Sequence, residues 1–244
     1  MAKIYQQYKR QPVKKTRIGW LPIGYLIDRM SDLDEESKIG LCEANTLLKS
    51  EGILVLDAHR ETFDILMSVA LVTDHLTVSR IVFPVAAYLY YTPIMSRIVR
   101  GFDKLGIDVH SVYRKEERER NFHNMIYRQF YPKEMTEADI KEMNEKYLIK
   151  AEMALRTPHQ AVVFTPFGGV KSFMNKVRHG VARLLASGSP VICSLSMRRS
   201  RRMRYVTYFS KKPFRFEPGE LRSRMNARVR KEFEGLMNRA ASDF

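Results

Sequence analysis

Apolar positions along this chain gather in short runs set between longer segments of mixed pattern. From Ser31 to Ser50 the residues Ile39, Leu41, Ala44, Leu47 and Leu48 recur near a 3.6-residue period, which predicts a helix, and Gly52 suits its C-terminal stop. Ile53-Leu54-Val55-Leu56 is a continuous apolar run with turn residues on either side, the signature of a buried strand. It leads straight into Asp57-Ala58-His59, and helical spacing returns from Thr62 to Thr73, so His59 is expected at a strand-to-helix junction. Further strands are expected at 78–83, 107–113, 161–165, 190–196 and 205–210, with helices at 115–155 and 176–187 and a charged amphipathic helix from Glu220 to Arg239. Strands alternating with helices predict an α/β fold: a single core domain over 31–244, with a mixed, largely parallel sheet flanked by helices. Residues 1–30 form a basic, aromatic-containing N-terminal arm. The segment 115–155, dense in charge of both signs, reads as a solvated helical insertion.

Charge changes the picture at the level of partners. A formal net charge of +15 suits nucleic acid, an anionic membrane leaflet, or an acidic carrier or phosphorylated substrate. The basic N-terminus is followed by no long apolar core, so it does not read as a secretory signal. No segment supplies the ~20 apolar residues that a spanning helix needs. The longest uncharged run, Ile81 to Met95, contains Pro84 and Pro93; with Phe83, Tyr88, Tyr90 and Tyr91 it is open to two readings, core packing or an interfacial patch. The densest basic cluster, Met197 to Arg204, follows the strand at 190–196; it reads either as a solvated loop or as a site for anionic headgroups, and suits these better than nucleic acid, since no stacking aromatic platform accompanies it. Cys42 and Cys193 sit in apolar stretches without metal-ligand spacing, which predicts two free, buried thiols in a reducing compartment; no metal is expected.

The candidate chemistry centres on His59 and Asp64. Five positions apart, they would stand about 140° from each other on a regular helix. A strand-turn-helix break between them removes that obstacle, and the helix N-terminus favours the negative charge of Asp64. Histidine paired with a carboxylate is a general base whose tautomer the carboxylate fixes. Downstream, Val112-Tyr113-Arg114 ends a strand in a guanidinium able to grip phosphate. Val162 to Ser172 runs from a strand into a turn containing Gly168 and Gly169, which can offer backbone N–H groups to an anion, with Lys171 and Ser172 alongside. His75, His110, His123, His159 and His179 lack comparable context and read as structural or solvated.

In this order the four blocks resemble the glycerolipid acyltransferase family that includes 1-acylglycerol-3-phosphate and lysophospholipid acyltransferases. His59 and Asp64 match its His-x-x-x-x-Asp, Arg114 the arginine of its second block, 164–172 part of its Phe-Pro-Glu-Gly-Thr-Arg-Ser block, and Gly180 to Leu195 its Pro-containing apolar strand after a helix. The third block departs from the family: Phe167 or Gly168 stands where its glutamate falls, and Lys171 replaces its arginine as a point charge. The resemblance implies O-acyl transfer from acyl-CoA or acyl-carrier protein to a lysophospholipid or glycerol-phosphate-like acceptor. It also implies His59 as general base oriented by Asp64, with no cofactor beyond the donor. The place it implies is peripheral or monotopic, at the cytoplasmic face of a membrane. A catalytically silent lipid-binding homologue and a basic nucleic-acid-binding protein are the competing readings.

Overall fold

The structure, a computed structural model, describes residues 31–58, 64–86, 102, 106–112, 136–167, 177–198 and 205–243. In chain order the elements are β1 (Ser31–Leu33), α1 (Glu35–Leu47), β2 (Ile53–Asp57), α2 (Asp64–His75), β3 (Arg80–Ala86), β4 (Ile107–Val112), α3 (Glu137–Leu155), β5 (Gln160–Phe164), α4 (His179–Leu185), β6 (Val191–Arg198), β7 (Tyr205–Phe209) and α5 (Arg222–Ser242). The strands form one seven-stranded sheet in the order β1-β7-β6-β2-β5-β3-β4. From β6 to β4 every pairing is parallel. β7 runs antiparallel to β6, and β1 joins β7 in parallel at the far edge. The α/β fold with a mixed, largely parallel sheet is therefore as expected from sequence.

Parallel strands need crossovers, so both sheet faces are covered and strand side chains of both parities are apolar. Ile53 and Val55 of β2 face one layer with Leu41, Ala44 and Leu48 at α1 and Val69, Leu71 and Val72 of α2. Leu54 and Leu56 face the other with Tyr147 and Ala151 of α3, Val181 and Leu184 of α4, and Val229 and Phe233 of α5. All five residues of β2 are fully buried.

Several local expectations shift. The helix expected from Ser31 begins only at Glu35, because Asp34 caps it by accepting a hydrogen bond from the Ser37 N–H at 3.1 Å; Ser31–Leu33 are drawn into the sheet instead. Gly52 lies beyond the helix end at Leu48 and is small for another reason: a Cβ there would lie 2.2 Å from the Ala154 carbonyl oxygen. The expected solvated insertion is, over 137–155, the crossover helix α3, which packs on β3, β4 and β5 through Tyr147, Ala151, Ala154 and Leu155. Its start carries a reciprocal cap between Thr136 and Asp139, and Arg183 of α4 bonds Glu145 and Glu152 on it. Cys193 is buried, but Cys42 is only half-buried; both are free. The apolar run at 81–95 is, over 81–86, the inner strand β3, with Phe83 in the core; Tyr88, Tyr90 and Tyr91 lie outside the described residues. The basic cluster falls between β6 and β7, with 199–204 outside the described residues, as are residues 1–30.

Gly40 of α1 meets the chain after β7 most closely: a Cβ at Gly40 would lie 1.9 Å from the Ser210 carbonyl oxygen. Backbone contact of that kind cannot be relieved by a rotamer change. Gly40→Ala is expected to lower unfolding free energy by about 2–3 kcal/mol or more, despite alanine's better helix propensity, as read by urea denaturation.

Candidate active site

The crossovers place one crevice. β2 connects through α2, on one face, to β3 on one side of it; β5 connects through α4, on the opposite face, to β6 on the other side. β2 and β5 are neighbours, and their outgoing connections leave to opposite faces of the sheet, each passing over the other strand. In open α/β sheets, the carboxyl ends at such a switch point form the ligand crevice. The ladder between β5 and β3 also stops early, at Val82↔Val162, while β3 stays paired with β4 as far as Ala86↔Val112. Pro84 accounts for this. The Ile81 N–H donates toward β4, to the Gly106 carbonyl at 2.9 Å, so alternation puts the position-84 nitrogen on the β5 side, where proline has no proton to give.

The two connections that open at this crevice are those singled out from sequence. Residues 58–63 join β2 to α2; Asp64 is the first residue of α2. A strand therefore ends just before His59 and a helix begins at Asp64, as the spacing argument requires. His59 lies outside the described residues, as does the Asp64 side chain. Arg114 lies two positions beyond the end of β4, and Gly168, Gly169, Lys171 and Ser172 follow β5; these five also lie outside the described residues. The ends of this last connection are fixed. The Arg178 N–H donates to the Pro166 carbonyl at 2.9 Å, Val177 N–H to Asn226 Oδ1 at 2.9 Å, and Phe167 packs edge-on against Phe233 at 5.5 Å.

At the end of β2 the structure adds a residue that sequence reading missed. Asp57 is wholly buried, and its Oδ1 accepts hydrogen bonds from Ser68 Oγ of α2 and, at 3.0 Å, from Ser194 Oγ of β6. The two serine oxygens are 3.2 Å apart. Ser194 also accepts the Ala58 N–H through its carbonyl at 2.9 Å. The signal was present: a carboxylate ends an otherwise aliphatic run, two positions before His59.

A second polar cluster lies on the opposite face, at the β4 edge. Asp108 Oδ1 is 2.9 Å from His110 Nε2, and Asp108 Oδ2 is 2.5 Å from Lys150 Nζ and 3.7 Å from Arg80 Nε. The His110 ring packs 5.7 Å from that of Tyr147, whose hydroxyl is wholly buried without a hydrogen-bond partner among the described residues. Burial pushes the His110 imidazole below its ordinary value; Asp108 opposes this, while Lys150 and Arg80 reinforce it. This pair stands beneath α3, away from the β2–β5 crevice. Of the other described histidines, His159 takes a left-handed conformation and bonds Thr77 and Leu48, and His179 is exposed at the start of α4.

Among the described residues no group of side chains is placed to hold a metal ion, and no helix is long and apolar enough to cross a membrane. No family model and no curated protein matches this chain.

His110 carries a pH signature. With its folded value depressed, the unfolded chain binds the proton first as pH falls below about 6.5, so stability is lost on acidification. Removing the group removes that loss. Between about pH 7.5 and 5, the melting temperature of His110→Gln is expected to fall less than that of the unaltered protein, measured by circular dichroism at matched ionic strength.

Proposed function

We propose that this protein is an acyltransferase that moves a fatty acyl group from a thioester donor, acyl-CoA or acyl-carrier protein, to a hydroxyl of a lysophospholipid-like or glycerol-phosphate-like acceptor. One observation carries the reading. The connection bearing His59, which ends at Asp64, and the connection bearing Gly168 and Gly169 leave adjacent parallel strands at their carboxyl ends, where the two crossovers take opposite faces of the sheet. Strand ends more than 100 positions apart are thereby neighbours, which supports reading the two motif-bearing connections as parts of one site, in the order of the glycerolipid acyltransferase blocks.

The chemistry needs no covalent enzyme intermediate. His59 takes the proton from the acceptor hydroxyl as its oxygen attacks the thioester carbonyl. The carbon–sulfur bond of the resulting tetrahedral adduct breaks, and the imidazolium returns the proton to the leaving thiolate. The products are an ester and a free thiol, and His59 is regenerated. Asp64 orients the imidazole and favours its protonated form. Backbone N–H groups near Gly168 and Gly169 are the candidate oxyanion donors, and Arg114, Lys171 and Ser172 the candidate phosphate contacts. The surplus positive charge suits an anionic membrane surface, which would present both the lipid acceptor and the acyl donor.

With radiolabelled acyl-CoA and a panel of lysophospholipids, His59→Ala is expected to reduce kcat/KM about 10³-fold and Asp64→Asn roughly 10²-fold. His110→Ala should stay near the unaltered rate, since its carboxylate partner belongs to the other cluster. Full activity in His59→Ala would sink the mechanism; a protein that binds lipid and turns over no acyl donor would be a silent lipid-binding homologue. Co-sedimentation with phosphatidylserine-containing vesicles is expected in low salt. It should weaken severalfold toward about 0.5 M salt and exceed duplex DNA binding under the same conditions.

A further inference from the structure

The side chain of Asp57 stands where β2 should carry an aliphatic. Ile53 and Val55 occupy the preceding positions on the α1–α2 face, and both are fully buried in that layer. Alternation puts position 57 next on it, and the carboxylate there has 0% exposure. A buried carboxylate is costly to retain unless hydrogen-bonded, and an apolar group of similar volume would usually stabilise such a site as well or better. Its retention points to a geometrical role.

What it holds together is specific. Ser68, also 0% exposed, stands one helical turn after position 64, where α2 begins. Its hydroxyl donates to Asp57 Oδ1, so the strand end and the first turns of α2 are joined directly, across the connection 58–63. Ser194, likewise 0% exposed, fixes the same strand end twice: its hydroxyl donates to Asp57 and its carbonyl accepts from Ala58. Ala58 is the immediate neighbour of His59. The register Asp57↔Ser194 makes this reach automatic, because the two residues are paired across β2 and β6.

We infer that Asp57 is a positioning residue: held by Ser68 and Ser194, it fixes where α2 starts relative to the end of β2 and thereby sets the spacing of His59 and Asp64. The inference rests on the His59–Asp64 pairing proposed above, and its test needs no substrate.

The probe is the imidazole NMR signal of His59, assigned by its disappearance in His59→Ala. Its titration midpoint is compared with and without Asp64→Asn in three backgrounds: unaltered, Ser68→Ala and Val69→Ala. Val69 lies beside Ser68 in α2 and is core-packed, so Val69→Ala loosens the helix without touching Asp57. In the unaltered background Asp64→Asn should lower the midpoint by about one unit. In Ser68→Ala that drop should shrink to roughly a third; in Val69→Ala it should persist. An equal drop in the Ser68→Ala and unaltered backgrounds overturns the inference, as does an equal shrinkage in Val69→Ala. If Asp64→Asn moves nothing in the unaltered protein, the His59–Asp64 pairing itself is overturned. Ser194→Ala, which removes the other hydroxyl from Asp57, substitutes for Ser68→Ala if that variant does not fold, with the same expected shrinkage.

Discussion

The constraint on which everything else here depends is that β2 is hydrogen-bonded in parallel on both sides and covered on both faces. A parallel strand cannot turn back beside itself; the chain must leave its carboxyl end and travel over one face to start again. For β2 that exit lies between β6 and β5, and the outgoing path of β5 runs the opposite way. The crevice is thus a consequence of strand order. No side chain has to carve it, and on its β5 side the ladder to β3 ends early, before Pro84.

The sheet carries two buried carboxylates, and their surroundings differ in kind. Asp108 lies at an edge strand amid the cations Arg80 and Lys150 and the His110 ring, so its charge is compensated locally. Asp57 is central, and serine hydroxyls from α2 and β6 fix the direction of its carboxylate. That direction is set at the end of β2, next to the residue proposed as the base. Polar networks of this type rigidify their neighbours when satisfied.

Most of the strand-and-helix order was legible because both faces of this sheet are covered, which leaves unbroken apolar runs such as Ile53–Leu56 and Val191–Cys193. The strand-to-helix step around His59 was legible for the same reason: an aliphatic run stops abruptly and a 3.6 period resumes. What sequence concealed depended on partners far along the chain. Ser31–Leu33 is a strand only because β7, made from 205–209, lies beside it. α3 resembles a solvated insertion until β4 and β5 are placed beneath Tyr147 and Ala151. Asp57 looked like the first residue of a loop, since nothing local announces that Ser68 and Ser194 will reach it. The roles assigned to His59, Asp64, Arg114, Gly168, Gly169, Lys171 and Ser172 rest on motif order together with the crevice.

The edge formed by β1 has a consequence for the making of the chain. Ser31 pairs with Tyr205, and Asp34, the cap of α1, takes the guanidinium of Arg239 across a separation of 205 residues. Ribosomes add roughly 5–20 residues per second, so Asp34 waits on the order of 10–40 s for that partner to be synthesised. Among the described strands, the first to emerge is among the last to find its place. Until β7 and α5 are made, the Ser31–Leu33 backbone and the Asp34 carboxylate lack these partners.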